Sequence, residues 1–471
     1  MNSKYKFLLS NTGLFFISTF SSKFLVFLLM PIYTSVLSPD QFNAVDLMTQ
    51  TANLLIPFVS LGIPNSIVRF GLDKNYSKRG VFTVATFAYM VGFMVLLAFY
   101  PVIVKITFIS QYIRYLYLYL LCSCARTLVQ QFVRSRMLTR LYAVDGILAT
   151  VNTLFFVYLY LVKFQMGAMG YILATITADF ISFLFLSVIS GSWKYFSPKK
   201  AKGVLAQEML GYCLPLIPTS VFWWITNVSD HYLVTAIVGA SVGGLYAISY
   251  KIPSIVNLVS TVFTEAWQIS AVKEGQEENP EKFFTTVFKA YQGIMFMGGA
   301  GLILICRIMV DLMVATEYYE SWRFIPVLIL ATIFSSFSGF LSSIYMVQKD
   351  GKSNLLTMMA GAISNIVMNI ILIPKWGAQG AAIATFISYL IVFMLRAAGT
   401  KKFIDINISP VFMAVNVLLT IALAIVMVNE ISYWIIVSIL LTAVIIAFNF
   451  IPLFTFVKSL LKSLLGKKKK A

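Results

Sequence analysis

Histidine is almost missing from this chain: His231 is the single one in 471 residues. The four cysteines, Cys122, Cys124, Cys213 and Cys306, all fall inside apolar runs, and the first two point in different directions on a helix. That leaves neither a clustered set of metal ligands nor a disulfide framework to read. Charge is scarce, at 11% of residues, and acid is scarcer than base, with 18 Asp and Glu against 36 Lys and Arg. There is no glycine-rich phosphate loop, and no carboxylate pair lies on a sizeable water-exposed loop, so the sequence argues against an enzyme and implies no cofactor. A cleavable leader is not expected either, because the first apolar stretch is too long for one and lacks a small-residue cleavage site.

Apolar residues are abundant. At 59% hydrophobic and a mean hydropathy of +0.86, the chain exceeds the roughly half-apolar composition of soluble domains and reads as an all-α polytopic membrane protein. Apolar runs near span length predict fourteen helices, at about 9–37, 41–69, 80–104, 112–133, 142–163, 168–190, 209–238, 243–271, 283–314, 322–347, 354–373, 379–398, 410–428 and 433–457. The formal charge of +18 does not point to nucleic acid, because the basic residues follow topology instead of gathering in one patch. With the N-terminus inside, most of them, Arg69 and Arg396 included, are cytoplasmic, and only Lys105, Arg114, Lys163, Arg323 and Lys375 fall outside. This asymmetry places both termini in the cytoplasm. The Lys467–Lys470 run reads as an anchor to the membrane leaflet.

The longest polar segment, 191–208 with SPKKAKG at its centre, divides the chain. The expected organisation is a six-helix lobe at 1–195, a cytoplasmic linker at 196–208, and a second six-helix lobe at 209–402. Two further helices follow at 410–457, and a basic tail occupies 458–471. The halves are alike in outline, a hydropathy symmetry typical of transporters built from repeats.

Within the first span Lys23 lies close to the middle, where a charge costs several kcal/mol unless it faces water or a partner. Polar stripes mark the other helices that are expected to line a cavity. Asp46 and Asn53 share a face of the second span, and Tyr119, Arg126 and Gln130 a face of the fourth. Trp223, Asn227 and Asp230 align in the seventh, beside His231, and Lys251 and Glu265 in the eighth. The cations Lys23, Arg126 and Lys251, with Arg69 at the inner end of the second span, suit an anionic group such as a phosphate. The competing reading pairs them internally with Asp179, Asp230 and Glu265. Tyr119 and Trp223 offer faces on which sugar rings can stack, although tyrosines near span ends also form interfacial belts. Asp179, Asp230, His231 and Glu265 are candidates for coupling to a proton or sodium gradient, and equally for structural hydrogen bonding. Arg307 and Asp311, four residues apart, are placed for a local pair.

Several stretches carry a family resemblance: FLLMPIYTSVLSPDQF, LGIPNSIVRFG, SDHYLV followed by VGGLYAISYKI, FTEAWQISAVKE, and above all NIVMNIILIPKWGAQGAAIATFISY at 365–389. Together they resemble bacterial polysaccharide flippases, the Wzx-type exporters of the multidrug/oligosaccharidyl-lipid/polysaccharide superfamily. The resemblance implies two six-helix lobes plus two helices around a V-shaped central cavity that alternates between the two sides of a bacterial cytoplasmic membrane. It also implies an undecaprenyl-diphosphate-linked oligosaccharide as substrate, for O-antigen or capsule export, with membrane lipids and other glycan assembly proteins as partners. Asn43 stands where the family usually has glycine, and His231 where it often has arginine. The alternatives are a drug or cation antiporter of the same superfamily, or a membrane glycan polymerase or ligase, against which the short outer loops argue.

Overall fold

A computed structural model describes residues 29–73, 75–105, 110–274, 280–348 and 350–468. Among these residues the chain is helical and has no strand. In a membrane that follows from the need to satisfy every backbone N–H and C=O within the segment. The chain forms two compact units, 1–224 and 225–471.

In the first unit, residues 29–36 are helical and Ser38 starts α1 (Pro39–Val59). The start is a capping box, in which Gln41 N donates to Ser38 Oγ at 3.4 Å and Ser38 N to Gln41 Oε1 at 3.2 Å. The chain then bends by 50° into α2 (Ile63–Leu72). The bend turns on Leu61 and Gly62, both left-handed, and a Cβ on Gly62 would meet the Cys213 carbonyl oxygen at 3.0 Å. Conformation and close approach both call for glycine there. The long helices α3 (Lys78–Ala98), α4 (Ile113–Ser135), α5 (Thr139–Val157) and α6 (Gly167–Ser190) follow. α7 (Gly203–Cys213) closes the unit by burying Leu205, Met209 and Cys213 among Ile67, Val81 and Phe132. Ser66 Oγ donates to Met209 O at 2.7 Å.

The division between the units therefore falls inside α8 (Ile217–Ile237), after Trp224, and not in the polar 196–208 segment. The reason is that the apolar face of α7 packs on the first unit.

In the second unit, α9 (Ala240–Ser249) and α10 (Pro253–Glu274) are one predicted span broken near Lys251. α11 (Pro280–Met313) and the deeply buried α12 (Ile325–Val347) carry an aromatic core, with Phe263 stacked on Tyr291 at 4.1 Å and Trp267 on Phe340 at 4.6 Å. α13 (Gly351–Thr400) is two helices joined at a kink and contains two predicted spans, separated where Gly377 takes φ 57° and ψ −142°. α14 (Pro410–Val428) and α15 (Trp434–Lys468) complete the unit. The backbone of α15 stays helical through the basic tail to Lys468.

Nine of the described helical stretches are long and apolar enough to cross a membrane, or ten if the bent α1–α2 pair is one span. Several features separate this number from the fourteen expected. The first predicted span lies mostly outside the described residues, α13 holds two spans joined at the Gly377 kink, and α9–α10 is broken. α4 has the length, but it carries Arg114, Arg126, Gln130, Gln131 and Arg134.

One expectation is sharpened and one corrected here. Arg396, counted among the cytoplasmic cations, is 4% exposed on α13 and is packed inside the second unit. There it donates to Ser338 O of α12 at 2.8 Å, Asn354 Oδ1 at 2.8 Å and Thr357 Oγ1 at 3.1 Å. Its planar fork reaches three acceptors that a hydropathy reading cannot bring together. Arg307 pairs not with Asp311 but with Glu430 at 2.6 Å, while its Nε donates to Tyr319 at 2.6 Å, because the turn after α14 brings a carboxylate closer than the next helical turn does.

Candidate functional site

Three helices of the first unit converge on a charged cluster. Arg126 and Gln130 lie one turn apart on α4, Asp145 near the start of α5, and Asp179 and Ser182 on one face of α6. Arg126 Nη1 donates to Asp179 Oδ1 at 2.7 Å, and its Nη2 reaches Asp145 Oδ2 at 3.4 Å. Gln130 Nε2 donates to Asp145 Oδ2 at 3.2 Å, and Ser182 Oγ to its Oδ1. Asp145 is fully buried, whereas the Arg126 side chain keeps 22% of its surface exposed. One guanidinium thus serves two carboxylates, and its Nε is buried with no hydrogen-bond partner among the described residues. A charge in apolar surroundings needs such partners, so each member depends on the others.

Of this cluster the sequence reading names Arg126 and Gln130 from a polar stripe and Asp179 as an internal partner, and it misses Asp145 and Ser182. Asp145 has no local signal, because its partners stand 15, 19 and 37 residues away. Arg126 is thereby paired internally, as the competing reading of the in-span cations expects.

The second unit buries a carboxylate that has no paired cation among the described residues. Asp230 on α8 is 0% exposed. Its Oδ2 accepts from Tyr250 at 2.6 Å, Tyr246 at 2.7 Å and Thr385 Oγ1 at 3.0 Å, and its Oδ1 from the His231 backbone N–H at 3.0 Å. Asn365 Nδ2 donates to Thr385 at 3.3 Å, and Asn369 Nδ2 and Ser229 Oγ both donate to Asn365 Oδ1 at 2.9 Å. The His231 ring is buried against Tyr250, with ring centroids 4.8 Å apart. Asp230 has no ion-pair partner among the described residues. The four donors hold the carboxylate oxygens, and α8, α9 and both halves of α13 meet around them. Tyr246, Tyr250, Thr385 and the asparagines join Asp230 only through the fold, three of them from the 365–389 stretch.

The remaining candidates are dispersed. Asp46 is buried and accepts from Gln50 Nε2 at 3.4 Å, and Gln50 Oε1 accepts from the exposed Asn53 at 3.3 Å. Arg69 is exposed, with its guanidinium 4.4 Å from the centroid of the Tyr212 ring, a cation–π contact. Tyr119 is half-buried on α4, Trp223 is 57% exposed, and Asn227 Oδ1 accepts from Tyr389 at 2.6 Å. Lys251 is half-buried at the break between α9 and α10. Lys23 lies outside the described residues, as does the side chain of Glu265.

A buried charged cluster in one unit and a buried carboxylate in the other are carried by long apolar helices, in an all-helical fold with many candidate membrane spans. Solved structures share it. The lipid II flippase MurJ, in an inward closed conformation, is similar with a TM-score of 0.69 over 96% of this chain and 100% of that chain, at 15% identity. An inward-facing multidrug resistance MATE family transporter of the MOP superfamily gives 0.66 over 81% of this chain and 95% of that one, at 13% identity. The chain itself belongs to the family described as polysaccharide biosynthesis protein, whose sequence model matches residues 8–268, more than half of its length. An uncharacterized membrane protein of Methanocaldococcus jannaschii is 24% identical over 196 residues, which is 40% of this chain. The alignment spans 44% of that curated relative, less than half its length.

Proposed function

We propose that this protein is a flippase that moves an undecaprenyl-diphosphate-linked oligosaccharide across the bacterial cytoplasmic membrane by alternating access, with both termini in the cytoplasm. The observation that carries the reading is a polysaccharide biosynthesis sequence on a transporter fold. Catalytic residues have no part in it. The cations supply attraction for the diphosphate. Arg126, still 22% exposed beside Asp179 and Asp145, can take a phosphate oxygen as a further partner on its exposed side while its two carboxylates stay paired. Lys23, Lys251 and Arg69 add positive charge, while Asp46, Asn53, Tyr119, Gln130, Trp223 and Asn227 provide polar and aromatic contacts for the glycan. Asp179, Asp230 with the adjacent His231, and Glu265 are the candidates for coupling to a proton or sodium gradient.

A cation or drug antiporter remains as the second reading, favoured by one observation: in the Arg126 cluster carboxylates outnumber cations. Depletion of the protein separates the two. The flippase reading expects a lipid-linked oligosaccharide to accumulate, identified by mass spectrometry of extracted lipids. An unchanged lipid pool together with new drug sensitivity overturns it. Within the flippase reading, losing one charge-assisted contact costs on the order of 2 kcal/mol, roughly thirtyfold in affinity. Lys23→Arg should therefore export glycan and Lys23→Glu should not, at equal membrane abundance. Normal export by a well-expressed Lys23→Glu variant removes that lysine from substrate binding.

A further inference from the structure

On the first unit, the segment between α6 and α7 lies against α3 and borders an apolar groove of about 220 Å³. Leu61, Val84, Phe87, Val91, Ala206 and Leu210 line the groove, and Lys202 stands in its wall. The segment is fixed in place. Ser197 N donates to Thr83 Oγ1 at 2.9 Å, Phe196 packs on Phe87 with centroids 5.7 Å apart, and Arg136 lies 4.6 Å from the Tyr195 ring centroid. Large apolar side chains nevertheless point outward in and beside it, with Trp193 of the segment 64%, Val204 of α7 69% and Val91 of α3 55% exposed. Lys194, Lys199, Lys200 and Lys202 are exposed among them, as are Lys78 and Arg79 at the start of α3. No acidic residue occurs from 180 to 207. Glu208, which follows that stretch, is engaged by Tyr76, whose phenol it holds above its ordinary pKa.

An exposed tryptophan among lysines, above a groove open to lipid, has the composition of a membrane interface that selects for negative headgroups. We propose that this surface is a binding site for a resident anionic phospholipid of the leaflet it faces, separate from the transported substrate. One acyl chain lies in the groove, and the headgroup phosphate is held by Lys199, Lys200 and Lys202 beside Trp193. Because the packed segment presents these groups without having to fold, little ordering entropy opposes binding.

The test is native mass spectrometry of the full-length protein titrated with phosphatidylglycerol or phosphatidylcholine of matched acyl chains. The wild type should retain phosphatidylglycerol in preference. In the triple variant Lys199→Gln, Lys200→Gln, Lys202→Gln the preference should fall by roughly fivefold for each lysine removed. Val91→Trp keeps the lysines but fills the groove from its lipid side, so it should lower retention of both lipids. Equal retention of the two lipids by the wild type, or an unchanged preference in the triple variant, overturns the proposal. If the triple variant does not fold, the wild-type comparison and Val91→Trp decide it. Neither measurement involves glycan transport, so the result is independent of the flippase reading.

Discussion

Arg126 shows how a single side chain can hold a membrane core together. It is the one described cation facing Asp145 and Asp179, so Arg126→Gln leaves two carboxylates without their partner, a loss on the order of 3–5 kcal/mol. Asp179→Asn removes the second acid but keeps the Arg126–Asp145 pair and should cost much less. The double variant Arg126→Gln, Asp179→Asn should recover part of what Arg126→Gln loses, because one stranded charge disappears. Thermal unfolding in detergent measures all three, and a double variant no more stable than Arg126→Gln would refute the pairing. Asp230 calls for a different readout. Asp230→Asn keeps the shape and most of the hydrogen-bond sites, so the protein should fold, whereas gradient-driven transport in vesicles should be lost if this carboxylate is the coupling group. Unchanged dependence on both sodium and proton gradients in that variant would remove Asp230 from coupling.

Among the elements, the most constrained joint is in α13. Gly377 adopts φ 57° with ψ −142°, a combination that side-chain-bearing residues avoid at a cost of about 1–3 kcal/mol. It lies between Lys375 and the small residues Ala378, Gly380 and Ala381, three of which are buried. Gly377→Ala should therefore lower the thermal midpoint and membrane abundance although nothing lies within 4 Å of where its Cβ would be. An unaltered midpoint would show that the helix can straighten there without loss. The same segment holds Asn365, Asn369 and Thr385, so the joint sets how these groups approach Asp230. Hydropathy separates the two spans of α13 correctly from their proline and glycine, but it carries no information on which faces then meet.

At the scale of the whole molecule, the orientation rests on the charge count, and it is open to a direct check. Reporter domains fused after Lys202 and after Lys470 should both read as cytoplasmic, and an external signal at either site would overturn the fourteen-helix arrangement. Family and fold class were legible in the chain by itself, because the cost of placing backbone polar groups and charges in lipid imposes long apolar helices with basic flanks, and both features are local in sequence. The turn after α1, within the matched residues 8–268, carried part of the family resemblance for a similar reason, since close backbone approaches and caps require particular residues at particular positions. Tertiary structure alone decided how charges are partnered. Asp145 joins Arg126, Tyr246 and Tyr250 join Asp230, Glu430 takes Arg307 from Asp311, and Arg396 turns inward onto α12. Each of these partnerships depends on which faces of separate helices pack together. In a chain this apolar, packing follows shape and small-residue contacts spread over many helices, and no local pattern of hydropathy or charge records the result.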